Sequence, residues 1–434
     1  MTGFGRGATR LWRALLDGDR AMREQPQLSA AGLRVGPVAL VEELPLTAPS
    51  RAATLARWAA EEALADAGDV PRGPRLSVAC GTTLGGIASW LPLVRAEVEA
   101  STATSTARAE IASAATATAS AEIELGAVVK PIAAVVKPID TMVKPIDAMV
   151  EPLAARLRAP QGWSYAGPAQ AVAAAVDARG PLVVPSVACA SGNVALDAAL
   201  ALIRDGRCDV VLAGGADALH DFVIQGFACL KALDGDSCRP FDRSRRGLNL
   251  GEAAAFLVIE AEPHARARGA RIRAFLDGSG VAADAVHMTG PDREGRGAAR
   301  AMQAALADAG QNAAAVGFVS AHGTATVFND LMEGHALRHV FGERTGVVPV
   351  NSIKGALGHT LGAAAALEAI TCVLTLESGQ IARTAGLTEI DPQIPLDVVH
   401  GASRAADVRV ALSTSSGFGG TNAAVVFSRA DQLV

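Results

Sequence analysis

The chain has 434 residues, half of them hydrophobic but only 4% aromatic, so Ala, Gly and Val must fill an interior large enough for two structural units or one large layered one. A net charge of −5, with no Lys/Arg cluster interleaved with aromatics, leaves no footprint for nucleic acid. No run reaches the roughly 18–20 uninterrupted apolar residues that span a bilayer, the N-terminus lacks a signal-peptide core, and the six cysteines show neither metal-ligand spacing nor a disulfide framework, so a cytoplasmic protein with reduced thiols and no metal is expected.

In chain order, residues 51–68 read as an amphipathic helix ending in Ala-Gly, followed by a strand at 75–79 and a glycine turn at 81–86. From residue 101 to about 122 the chain is almost all Ala, Ser and Thr. It then runs through four sevenfold repeats, beginning at Val129-Lys130-Pro131-Ile132 and ending at Val150-Glu151-Pro152-Leu153. A proline in every repeat removes a helical hydrogen bond and clashes with the preceding turn, so a straight helix is excluded; kinked helical turns and a flexible insertion both remain open. A low-complexity expansion without chemistry is favoured over a partner- or membrane-surface element.

After this insertion (about 100–158) comes the β-branched run Leu182-Val183-Val184, a turn, and apolar residues at helical spacing over 194–203. A strand follows at 209–215. A short charged linker at 263–271 leads to a second half with the same grammar: strand 272–276, helix 297–310, strand 316–320, helix 330–340, and a terminal strand pair around 408–412 and 423–427. Two consecutive α/β halves of similar content, 1–265 and 266–434, predict an internally duplicated, layered α/β fold.

Cys189 sits in the turn between strand and helix, in Pro185-Ser186-Val187-Ala188-Cys189-Ala190-Ser191-Gly192. A thiol at a helix start faces unpaired N–H groups and the positive end of the dipole, which lower its pKa and favour thiolate. A lone cysteine beside small residues is more often a buried hydrophobe. Its company shifts the reading. In Ser320-Ala321-His322-Gly323-Thr324-Ala325-Thr326 a histidine is delivered to the C-terminal edge of a buried strand. Asn351-Ser352-Ile353-Lys354-Gly355-Ala356-Leu357-Gly358-His359 puts a lysine and a histidine around a glycine turn at a helix start. Ser416-Gly417-Phe418-Gly419-Gly420-Thr421-Asn422 is a glycine loop whose N–H groups can meet an oxyanion. Each alone is ordinary, since a histidine after a strand is usually structural and a glycine loop usually a turn.

In this order the segments resemble the β-ketoacyl-acyl-carrier-protein synthases, the elongating condensing enzymes of fatty-acid and polyketide synthesis. The resemblance covers most of the chain from Arg51 onward apart from the insertion, and includes Cys238-Arg239-Pro240-Phe241-Asp242, Asp284-Ala285-Val286-His287-Met288-Thr289 and Asn329-Asp330-Leu331-Met332-Glu333. It implies a thiolase-like fold, a duplicated five-layered α-β-α-β-α arrangement with mixed sheets. It further implies that Cys189 takes an acyl group from a phosphopantetheine thioester, while His322 and His359 hydrogen-bond the malonyl thioester, promote decarboxylation and stabilise the enolate. Lys354 would stand near them, paired with Glu333. The N–H groups of Cys189 and Phe418 would form an oxyanion hole, Phe418 doubling as a gate. Thr324 and Thr326 would meet the pantetheine arm, with Thr289 and Gly419 as further substrate contacts. The implied partner is an acyl carrier protein, the implied assembly a homodimer or a heterodimer with a chain-length factor. No bound cofactor is implied, because substrates arrive on phosphopantetheine.

The residue types suit that chemistry independently. Breaking the malonyl C–C bond leaves an enolate, which calls for neutral donors aimed at a developing oxyanion, and a thiol exchanges thioester for thioester at little thermodynamic cost. Four departures from the family pattern stand out. Thr2-Gly3 normally follows the family's first strand, so that strand is either lost or upstream of the start; Gly251-Glu252-Ala253-Ala254-Ala255 is less glycine-rich than usual; Arg246 replaces an acidic residue; Ser416 replaces a phenylalanine. Chain-length partner subunits lack the nucleophilic cysteine and initiating synthases replace one histidine by asparagine; neither applies here. The alternative of another class is a non-catalytic thiolase-fold partner or scaffold.

Overall fold

The computed structural model describes residues 1–30, 36–46, 48, 50–85 and 164–430; the repeat segment lies outside the described residues. Two sheets organise the chain. β1 (Leu76–Gly81), β2 (Leu182–Val183), β3 (Val210–Asp217) and β4 (Ala253–Glu260) form the first, in the order β2-β1-β3-β4, with β4 antiparallel to β3 and the other pairs parallel. Both β1 and β3 are buried over their whole length, as strands covered on both faces must be.

The second sheet contains β5 (Ala274–Ala283), β6 (Phe318–Ser320), β7 (Pro349–Asn351), β9 (Asp397–Val398), β11 (Val410–Gly417) and β12 (Thr421–Arg429), in the order β5-β12-β11-β6-β7-β9. A two-strand ribbon, β8 (Gln380–Ile381) with β10 (Arg404–Ala405), lies apart from it.

The helices in chain order are α1 (Ala8–Asp17), α2 (Pro26–Ala30), α3 (Arg51–Ala67), α4 (Gly167–Ala175), α5 (Ser191–Arg204), α6 (Asp221–Cys229), α7 (Glu262–Ala267), α8 (Arg296–Asp308), α9 (Val327–Phe341), α10 (Lys354–Leu357) and α11 (Ala364–Ser378). α3 and α4 cover the outer face of the first sheet, α8 and α9 lie outside the second, and α5 and α11 are sandwiched between the two. The result is the five-layered, mixed-sheet arrangement that the family resemblance implies.

The stretch Leu361–Ser378, which contains α11, is long and apolar enough to cross a membrane, but 72% of it is buried inside the protein, as befits the central layer. Its apolar residues encircle the helix, so amphipathic periodicity could not announce it. β4 was equally silent: its Ala253-Ala254-Ala255 start has little strand propensity and is a strand because β3 pairs with it residue by residue.

The middle layer can be this thin because backbones touch. A Cβ on Gly81 would lie 2.3 Å from the Ser191 carbonyl carbon, one on Gly192 2.8 Å from the Ala366 nitrogen, and one on Gly215 2.3 Å from the Gly362 oxygen. These contacts draw the ends of β1 and β3 against the starts of α5 and α11.

Candidate active site

Cys189 occupies the turn that launches α5. Ala188 before it takes φ 52, a left-handed conformation that an L residue keeps only when its surroundings enforce it. Here Ser191 does so: its Oγ accepts the Val187 N–H at 2.9 Å and donates to the Ala188 carbonyl at 2.6 Å. The end of β11 presses on the same turn, since a Cβ on Gly417 would stand 2.6 Å from the Val187 oxygen. Phe418, next in sequence, is thereby brought beside the cysteine turn. Among the described residues no backbone or side-chain oxygen accepts the N–H of either Cys189 or Phe418.

The helix start does not make Cys189 acidic, contrary to the sequence expectation. Burial pushes the thiol up to about 12, and the Asp217 and Glu368 carboxylates add to the push; the Lys354 charge and the residue's own amide pull only partly against it. At 6% exposure the cost of removing a thiolate from water is larger than the pull of the Lys354 charge.

His322 follows β6 and is fixed through its backbone. Glu333 on α9 accepts the N–H groups of His322 and Gly323 at 2.7 and 2.8 Å and the Thr414 hydroxyl at 2.8 Å. Burial raises Glu333 to about 7 while these three donors oppose the rise. Glu333 therefore does not pair with Lys354, which corrects the sequence expectation. The Lys354 ammonium forms its ion pair with Glu368 of α11, and also donates to the His322 carbonyl at 2.5 Å and to His322 Nδ1 at 3.3 Å. Glu368 in turn accepts the Ser415 hydroxyl at 3.0 Å, and Ser415 Oγ accepts from Asn193 Nδ2 at 3.2 Å. A buried polar chain thus runs from the first turn of α5 to the ring of His322.

His359 lies with its ring centroid 5.5 Å from that of His322, edge to face. Its N–H donates to the Asn249 carbonyl at 2.7 Å, and its Nδ1 accepts the Leu361 N–H at 3.1 Å. In both histidines Nδ1 is therefore an acceptor, which places the proton on Nε2. Burial, then the Lys354 charge, hold both pKa values well below 6.5, with the neighbouring ring adding to the effect on His322. The pair consists of neutral imidazoles presenting Nε2–H donors.

Phe418 is 39% exposed and stacks on Phe227 of α6 at 5.5 Å, while Phe227 approaches His359 at 6.4 Å. The glycine loop is tied to the segment after β5: Gly419 N–H donates to the Met288 carbonyl at 2.7 Å, and Asn422 Nδ2 to Asp284 at 2.8 Å. Ser416, at one of the departures from the family pattern, donates to Asn422 Oδ1 at 2.7 Å. Thr324 and Thr326 share a hydrogen bond of 2.9 Å, Thr324 buried and Thr326 half-buried. Thr289 is exposed, on the same loop as Met288, outside the buried group. The other departures are structural: Glu252 is a buried ion-pair partner of Arg51, and Arg246 pairs with Asp234 and Asp236.

Sequence reasoning missed Glu368, Ser415, Asn193 and Asp217. Two of them carried a signal, since Glu368 is flanked on both sides by apolar residues within its helix and Asp217 ends an apolar strand, and a carboxylate so placed is buried only with partners.

Residues 147–265 match the family description "Beta-ketoacyl synthase, N-terminal domain" and residues 273–388 "Beta-ketoacyl synthase, C-terminal domain". A solved β-ketoacyl synthase from Burkholderia phymatum STM815 superposes with a TM-score of 0.77 at 32% identity, over 99% of this chain and 97% of that one. This chain belongs to the β-ketoacyl synthase family. Among further ketosynthase relatives, Nodulation protein E of Rhizobium sp. (strain N33) is 45% identical over 250 residues, 57% of this chain and 62% of that protein. The 3-oxoacyl-(acyl-carrier-protein) synthase 2 of Staphylococcus aureus (strain COL) is 39% identical over 258 residues, 58% of this chain and 62% of that protein. The sequence match thus spans less than two thirds of these curated relatives. A type II PKS acyl-carrier protein in complex with its ketosynthase bound to the hexaketide aligns with a TM-score of 0.79 at 27% identity, over 99% of this chain and 97% of that one.

Proposed function

We propose that this ketosynthase-family chain is an elongating β-ketoacyl-acyl-carrier-protein synthase, joining a Cys189-bound acyl group to malonyl carrier protein with loss of carbon dioxide. The observation that carries the reading is the pair of neutral imidazoles, His322 and His359, whose Nδ1 atoms are both occupied as acceptors so that both Nε2–H groups are available. Two fixed neutral donors suit an enolate oxygen; they do not suit removal of a proton from a hydroxyl or thiol substrate.

In the first stage the Cys189 sulfur attacks the acyl thioester, the pantetheine sulfur leaves with the proton, and the acyl-enzyme remains. In the second, the malonyl C–C bond breaks, its electron pair moves into the thioester as an enolate held by the two Nε2–H groups, and carbon dioxide departs. The enolate carbon then attacks the acyl carbonyl. The oxyanion is met by the Cys189 and Phe418 N–H groups, and collapse returns the cysteine sulfur as leaving group. Lys354, held by Glu368, keeps the proton of His322 on Nε2. Glu333 shapes the His322–Gly323 backbone without touching substrate. Phe418 gates the site, and Thr324 and Thr326 meet the pantetheine arm, with Thr289 and Gly419 at the outer edge. The chemistry asks for no bound cofactor, and a reaction fed by carrier-protein thioesters is in keeping with a cytoplasmic location.

The partner is an acyl carrier protein. For assembly, β2 is the outer strand of the first sheet among the described residues and its Leu182 is exposed, which supports a second ketosynthase-fold chain adding there.

Intact-protein mass spectrometry of wild type and Cys189→Ala, after incubation with a panel of acyl carrier proteins, tests the reading. A mass gain that maps to Cys189, is absent in the variant and disappears on adding malonyl carrier protein is expected. A well-folded wild type that loads no acyl chain would overturn it.

A further inference from the structure

The geometry points to Asp217 as a positioning residue for His359, acting through the backbone of Leu361 and Gly362; the inference rests on the ketosynthase reading above. Asp217 ends β3 and is fully buried. Its Oδ1 accepts the Thr82 hydroxyl at 2.8 Å and the Leu84 N–H at 3.1 Å. Its Oδ2 accepts the Thr83 N–H at 2.7 Å and the Gly362 N–H at 2.8 Å. Four donors fill the four acceptor positions of one carboxylate, and among the described residues no cation pairs with it. Such a group is no ordinary salt-bridge anchor. It is a junction between the loop after β1 and the segment that carries His359.

That segment needs a junction. Leu361 has φ 57, left-handed without being glycine, and this conformation links the clamped Gly362 to the peptide whose N–H donates to His359 Nδ1. The residue after it, Gly362, is clamped by Asp217 and has no room for a side chain: a Cβ there would lie 2.7 Å from Asp217 Oδ2 and 2.8 Å from the Thr82 Cα. Release of the Gly362 N–H frees Leu361 to return to ordinary φ, which withdraws the donor that keeps the His359 proton on Nε2. The imidazole then spends part of its time with an acceptor where the enolate requires a donor.

Asp217 also lies close enough to Cys189 for its charge to disfavour the thiolate. Asp217→Asn therefore separates the two stages in opposite directions. The amide offers one acceptor oxygen, and its NH2 must face two of the four donors. Acyl loading and iodoacetamide alkylation of Cys189 should proceed at least as fast as in wild type. Condensation with malonyl carrier protein should fall ~10–100-fold in kcat, the loss typical of a misplaced catalytic group, with KM for malonyl carrier protein unchanged. The 15N spectrum of histidine-labelled protein should show His359 Nδ1 moving from an acceptor signature toward mixed tautomers. Thr82→Val, which removes one donor and leaves three, should give a smaller change in the same direction and serves if Asp217→Asn does not fold. Condensation at wild-type rate with an unchanged His359 signature overturns the inference. So do loading and condensation that fall together, which marks a merely structural role. If wild type itself neither loads nor condenses, the ketosynthase reading has failed, and the His359 signature in the two variants still decides whether Asp217 sets the tautomer.

Discussion

The turn that carries Cys189 and the pocket that carries His322 lie side by side, yet the hydrogen bonds of the first involve only a serine and backbone groups, whereas those of the second run through Lys354, Glu368 and Glu333. At the cysteine, position is fixed by a left-handed alanine and a glycine contact, and nothing in the immediate turn pays to hold a charge, so the thiol stays protonated at rest. At the histidine, a buried ion pair sets which nitrogen carries the proton. A site built from backbone can present an atom; only one built with charges can also choose its protonation state.

The most severe way to break this contrast is to remove the presented atom. Cys189→Ala should abolish acyl loading, a loss of at least ~10³-fold, while leaving the melting temperature nearly unchanged because the turn is held by Ser191. Next is the ion pair. Lys354→Ala leaves the Glu368 carboxylate buried without its cation and should cost about 3–5 kcal/mol in denaturant unfolding, whereas Lys354→Met with Glu368→Leu should recover most of that stability without recovering condensation. His359→Ala should lower condensation ~10²–10³-fold with acyl loading intact, read by single-turnover assay.

A pH series sharpens the comparison further. With the thiol pushed up to about 12, alkylation of Cys189 should rise roughly tenfold per pH unit from neutrality to pH 10 without a plateau, and a plateau near pH 7 would show the helix dipole prevailing after all. With both imidazoles held well below 6.5, they remain neutral above that lowered range, so condensation by preloaded enzyme should not decline as pH falls through 6.5. The smallest effect belongs to the exposed stack: Phe418→Ala should reduce stability by no more than about 1 kcal/mol, since the ring is partly in water, while altering the rate of acyl loading.

The same contrast explains what the sequence discloses. Cys189, His322, His359 and Lys354 are each positioned by a local transition, strand to turn or turn to helix, and such transitions leave signals in spacing and glycine placement. The partner of Lys354 is a tertiary fact. Glu333 on α9 and Glu368 on α11 are both acids on helices of the second half, and only the packing of α11 between the sheets shows which one faces the ammonium. The thiol's acidity misled for the same reason: a helix start is visible in the chain, but burial under Gly417 and the nearness of Asp217 are not. A duplicated, layered α/β plan was legible from the alternation of strand and helix even though β4 and α11 were not, because duplication of the pattern constrains the arrangement more than any single element does; the number of layers came only with the family resemblance.

The glycine crossing at 81, 192, 215 and 362 also bears on how this protein can change. Where main chains touch, no library can insert a side chain, and a deep mutational scan should show four nearly blank columns there, beside neighbours that accept ordinary exchanges. Variation that reshapes the site must come from its flanks, at Val223, Ile224 and Phe227 of α6, whose cluster with Leu361 is built from side-chain contacts, where a change of size has a cost in packing but no main chain stands in its way. The crossing is thus the fixed hinge point of any breeding programme for this site, and α6 its adjustable jaw.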